Sequence, residues 1–125
     1  MIEKVKVVTN NPLSKKNISN KFEIDFVDGN VKEVFEKVRD YIHKGHILLT
    51  HPLMSSVKPN ETPYRTIMVS QDSKCKLDME SLTVIEESIT SLNKFMKMFN
   101  CPNWSDSIKE DFMLIDFDLI NNVIK

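Results

Sequence analysis

An α/β fold built on a mainly parallel sheet is what this chain predicts, and three observations carry that reading. Short β-branched apolar runs alternate with longer segments of helical period. The runs Val5–Thr9 and Ile47–Leu49 are almost continuously apolar, as strands buried on both faces are. The unit from Phe22 through a helix to Leu49 has the form of a right-handed βαβ crossover. If that crossover passes over the first strand, about four strands take the order 2-1-3-4. Val5–Thr9 and Ile47–Thr50 are then adjacent, parallel and central. Helices flank the sheet, a helical pair closes the chain, and residues 1–125 form a single domain.

Each element has a local cause. Val5–Thr9 is a short β-branched strand ended by Asn10-Asn11-Pro12. Ser14 to Asn20 is polar apart from Ile18 and reads as a loop or one helical turn. Phe22, Ile24 and Phe26 alternate with Glu23 and Asp25, a half-exposed strand that closes at Asp28-Gly29. Asn30 then opens a helix as N-cap, with Glu33 placed for a capping box. Val31, Val34, Phe35, Val38 and Ile42 form its apolar stripe, and Gly45 is its expected stop.

Ile47–Leu49 and Ile67–Val69 are the third and fourth strands. Leu82, Ile85, Ile89, Leu92, Met96 and Phe99 follow at spacings of 3, 4, 3, 4 and 3, one face of a helix that should cover the sheet. Asn100 and Pro102 end it. Ser105 begins a last helical pattern through Ile108, Phe112, Ile115 and Leu119, with Asp116 as a possible break and fresh N-cap. Ile115-Asp116-Phe117-Asp118-Leu119 also alternates as a strand would. The methionines Met68, Met79, Met96, Met98 and Met113 read as core filler.

Composition narrows the function. Lys+Arg 17 against Asp+Glu 18 leaves a net charge of -1, so no bulk electrostatic pull toward nucleic acid or an anionic membrane exists. The two cysteines, Cys75 and Cys101, stand far apart in no metal or redox spacing, which suits reduced thiols and a cytoplasmic protein. The N-terminus carries no apolar leader, and no run approaches a membrane span. No H-x-x-x-H or Cys/His set suggests a metal. With only two glycines, Gly29 and Gly45, neither phosphate-cradling glycine motif is present, so no cofactor is expected.

The candidate site is the segment from His46 to Arg65, which holds three of the five prolines between two apolar runs. In the 2-1-3-4 order the tips Thr9-Asn10-Asn11 and Thr50-His51 lie side by side at a topological switch point, where open α/β sheets bind ligands. Asn10 and Asn11 can hold a polar small molecule there, or simply make the turn. His51, extended before Pro52, is the best placed histidine for acid/base or ligand work; a structural role bonded to the loop backbone is the alternative. His43 and His46 flank a helix end and read as caps. Ser55, Ser56 and Lys58 can bind a phosphate or carboxylate, with Arg65 adding bidentate recognition. Asn60, Glu61 and Tyr64 share the loop, where a solvated salt-bridge network of Lys58, Glu61 and Arg65 is the plainer reading. Glu86-Glu87 diverge by about 100° on a helix and face solvent rather than forming a carboxylate pair. Trp104 packs before the last helix or, if it protrudes, marks an interface.

Thr9-Asn-Asn-Pro12, Arg39-Asp40 with Ile42-His-Lys-Gly-His46, Thr50-His-Pro-Leu53, and Val57-Lys-Pro-Asn-Glu-Thr-Pro-Tyr64 together resemble the GrdX family. These are small proteins encoded beside the components of glycine, sarcosine and betaine reductases in amino-acid-fermenting anaerobes. The resemblance implies a cytoplasmic accessory protein of that system and no defined molecular activity. It sets the candidate surface on His51, Lys58, Asn60, Glu61 and Tyr64. Two functions follow as expectations. One is a non-catalytic binding module for a small anion or a reductase component. The other is a small enzyme on an amino-acid-like or carbonyl substrate, with His51 as acid/base and Lys58 or Arg65 holding a carboxylate.

Overall fold

The computed structural model describes residues 4–54, 62–99 and 103–124. Its elements run β1 (Val5–Thr9), α1 (Pro12–Ile18), β2 (Glu23–Phe26), α2 (Val31–His43), β3 (Thr66–Ser70), α3 (Met79–Met98) and α4 (Asp106–Ile124). The α/β class stands, but the sheet differs from the expected one. It has three strands in the order β2-β1-β3, with β1 parallel to β2 and antiparallel to β3.

The central position beside β1 therefore goes to the later apolar run, not to Ile47–Thr50. The reason lies in two-sided burial. Ile67 and Val69 enter one apolar cluster while Met68 enters the other, on the opposite face. Residues 47–50 do not match this: Leu49 is exposed, and they meet β3 through an isolated bridge, Leu48 to Val69, flanked by the backbone bonds Leu49 N–H to Met68 O and Ser70 N–H to Ile47 O. That bridge is antiparallel, so the segment runs in the direction of β1, with β3 between them. Side chains satisfy much of its backbone instead of a ladder. The Ile47 N–H donates to Ser70 Oγ at 2.8 Å and the Leu48 N–H to Ser81 Oγ at 2.9 Å. Pro52, without an N–H, cannot extend it.

Helices cover both faces. On one, α2 and α3 bury Val34, Phe35, Val38, Ile85 and Leu92 against Val8, Ile67 and Val69. On the other, Ile18 of α1 and Ile120 of α4 meet Val5, Val7 and Met68. Each such fully buried aliphatic or aromatic side chain contributes roughly 1.5–3 kcal/mol.

Local signals act as the sequence implies in α2. The Asn30 side chain accepts from Glu33 N at 2.9 Å, and Glu33 Oε1 accepts from Asn30 N at 3.4 Å, completing the capping box. Its C-terminus is a Schellman turn: Gly45 N–H donates to Ile42 O and His46 N–H to Tyr41 O, both at 3.0 Å. Gly45 has φ +102°, and a Cβ there would lie 2.6 Å from Ser73 Oγ.

Four other expectations change. Residues 12–18 form a helix, because Pro12 sits in its first turn and Asn11 caps it, accepting from Leu13 N at 3.0 Å. α4 is one unbroken helix, with neither a strand nor a break at Asp116, and Ser105 starts it. Its inward face carries Asp116, Phe117 and Ile120, whereas Ile108 and Ile115 are exposed. In α3, Ile85, Ile89 and Leu92 are buried, Leu82 is half-buried, and Met96 and Phe99 are exposed because the helix runs on past α2. Of the methionines read as core filler, Met68 is buried, whereas Met79, Met96 and Met98 are exposed.

Candidate functional site

The end of β1 is densely hydrogen-bonded. Asn10, buried, uses its whole side chain. Its Nδ2 donates to Gly29 O at 3.0 Å and Pro63 O at 2.8 Å, and its Oδ1 accepts from Arg65 N at 3.0 Å. Asn11 is equally committed: besides capping α1, its Nδ2 donates to Met113 O at 2.9 Å and Asp116 Oδ2 at 3.0 Å. Thr66 donates its N–H to Asp116 Oδ1 at 3.1 Å and its hydroxyl to Asp116 Oδ2 at 2.6 Å. Thr9 donates to Arg65 O at 3.0 Å and accepts from Asn11 N at 3.0 Å. These groups tie β1, β3, α1 and α4 into one unit.

The unit buries two ionisable side chains, Arg65 and Asp116. Arg65 is buried, and among the described residues its Nε and Nη2 have no hydrogen-bond partner. Burial pulls its pKa down, and the nearby Asp116 carboxylate opposes that. Burial likewise pushes Asp116 up, against its bonds from Thr66 and Asn11 and the charge of Arg65.

Of the sequence-derived candidates, Asn10, Tyr64 and Arg65 come together at this end of the sheet, while Asn11 turns to α4. His51 does not join them, because β3 stands between its segment and β1. It is exposed, its Nδ1 accepts from Leu53 N at 3.0 Å, and it lines a separate cavity of about 230 Å³ with Asp78 and Ser81. Ser56, Lys58, Asn60 and Glu61 lie outside the described residues. His46 is buried and its Nδ1 donates to Ser70 O at 2.7 Å, a structural role.

A larger cleft, about 390 Å³, opens beside the Asn10 hub. Gly29 and Pro63, the two carbonyls that Asn10 holds, belong to its rim. Tyr64 and Trp104 supply aromatic walls, Leu92 and Met96 an apolar floor, and Lys32 and Lys109 the charge. The Tyr64 phenol is pushed up by burial and by the Asp106 carboxylate, so it remains a hydrogen-bond donor at neutral pH. Sequence reasoning missed Lys32 and Lys109, which belong to no motif, and it read Asp116 as a helix break. The one available signal was a carboxylate set among apolar neighbours, Phe112 to Ile120.

Among the described residues no group of three or more His, Cys, Asp and Glu is placed to hold a metal, and no helix is long and apolar enough to cross a membrane. The GrdX-like protein family matches residues 6–125, nearly the whole sequence. The chain belongs to that family. No curated protein and no solved structure matches it. The motif-bearing segments now have structural roles: Thr9-Asn10-Asn11-Pro12 is the hub and helix cap, and Thr62-Pro63-Tyr64 is a wall of the cleft.

Proposed function

We propose that the protein is a non-catalytic, cytoplasmic accessory factor of the glycine, sarcosine and betaine reductase system, acting by binding a small anion or a reductase component. Membership of the GrdX-like family suggests the association with that system. The observation that carries the binding role is the cleft held by Asn10, where aromatic, aliphatic and lysine side chains line one concavity. Such a mixture suits recognition: apolar walls supply burial and a few polar groups fix orientation. The alternative is an enzyme with His51 as acid/base and Lys58 or Arg65 holding a carboxylate; Arg65 lines neither the His51 cavity nor the larger cleft, and Lys58 lies outside the described residues.

Affinity capture with the tagged chain in extract of glycine-fermenting cells tests the association. Reductase components, identified by mass spectrometry, should be enriched over a tag-only control. A folded bait that enriches none of them contradicts the proposal.

A further inference from the structure

We propose that the cleft between the start of α2, residues 62–64 and α4 is a small-molecule site for an organic anion with a flat apolar body. This rests on the reading of the protein as a binding module and names the class of ligand.

The argument begins with two misplaced cations. Lys32 is the second residue of α2, and Lys109 lies in the opening turn of α4. The positive end of the helix dipole makes both positions unfavourable for a cation. Both lysines are only half exposed, and among the described residues neither makes an ion pair. Each helix start carries one exposed carboxylate in its first turn, Glu33 in α2 and Asp106 in α4, which offsets its own dipole end. The two ammonium groups that line the cavity remain, and an anion in the cleft offsets them.

The rest of the lining specifies the other end of the ligand. Tyr64 and Trp104 offer ring faces and Leu92 and Met96 an aliphatic floor, which favour a planar apolar group over a bare inorganic anion. The volume, about 390 Å³, is at the small end for ligand sites. Lysine recognises charge without the fixed fork of arginine, so a carboxylate and a phosphate ester share the required chemistry.

Trp104 is the only tryptophan, so its fluorescence reports on the cleft wall. The full chain is titrated with phenylacetate, with phenylacetamide as neutral isostere and with inorganic phosphate. Phenylacetate should change Trp104 emission saturably. The amide and inorganic phosphate should each bind about tenfold more weakly or worse, as loss of a charge-assisted contact or of the apolar body requires. Lys32→Gln with Lys109→Gln, shown folded by circular dichroism, should abolish the preference for acid over amide. Equal binding of acid and amide overturns the proposal, as does phosphate binding as tightly as phenylacetate, or no saturable response to any probe. If the chain still captures a reductase component while the cleft ignores every probe, the ligand class is wrong and the binding-module reading survives.

Discussion

The Asn10 side chain accepts the Arg65 N–H at 3.0 Å while donating to Gly29 O and Pro63 O, so one amide joins the end of β1 to both rims of the large cleft. The segment entering β3 is thereby fixed before any ligand arrives, which lowers the ordering cost of binding.

Replacing Asn10 with Ala removes three hydrogen bonds and leaves their partners unpaired in a buried place. At about 1 kcal/mol per bond plus the unsatisfied groups, a loss of roughly 2–4 kcal/mol is expected in urea unfolding. A loss below about 1 kcal/mol would show that the hub is dispensable.

Asp116 gives a pH signature. Because burial raises its folded pKa, the folded chain takes up a proton there more readily than the unfolded chain. Its contribution to stability therefore grows as pH falls from the raised value toward the ordinary 3.8, and is withdrawn as pH rises again. Asp116→Asn lacks this component and puts an amide where the carboxylate accepts from Thr66 and Asn11, so the variant should be less stable than wild type at neutral pH. The stability gap between wild type and variant should widen between neutral and mildly acid pH. A gap that narrows would mean that its bonds and Arg65 hold the carboxylate below the usual range.

The α3 face is graded. Leu92→Ala should cost roughly 2–5 kcal/mol, since Leu92 is 1% exposed. Half-buried Leu82 should cost less, and Met96→Ala, at 38% exposure, within about 0.5 kcal/mol of nothing. Denaturant melts that return equal losses at the three sites would contradict the packing.

Much of this was legible beforehand. The α2 stripe, its capping box and its glycine stop depend on contacts within a few residues, so the local pattern contains them. The sheet order does not. Ile47–Leu49 and Ile67–Val69 are equally apolar as strings, and only the two-faced burial of Ile67, Met68 and Val69 decides which one pairs with β1. α4 was misread for a related reason. Its inward face includes a carboxylate, Asp116, whose partners Asn11 and Thr66 stand far away along the chain, so an apolar-period reading turned the helix to the wrong face. At the site, Asn10 stands out as a strand-tip residue and Tyr64 as part of the proline-rich loop, but the bonds that commit Asn10 to Gly29, Pro63 and Arg65 are long-range and leave no local pattern. Lys32 and Lys109 are far apart along the chain, and only the tertiary fold brings them to one cavity.

His51→Ala should leave the melting temperature nearly unchanged, because the ring is exposed and makes one local bond, from Leu53 N. A shift of more than about 5 °C would make the loop structural, with His51 as its anchor.

The central claim, that Asn10 presents a preformed cleft wall, is tested most directly by native-state hydrogen exchange at the Arg65 amide, whose proton is bound to Asn10 Oδ1. If the wall is built into the fold, that amide exchanges only through global opening, with the same protection as Val7 of β1 and Val69 of β3, both fully buried. Exchange at the rate of an open loop, while Val7 and Val69 stay protected, would show that the wall is not held and would contradict the account.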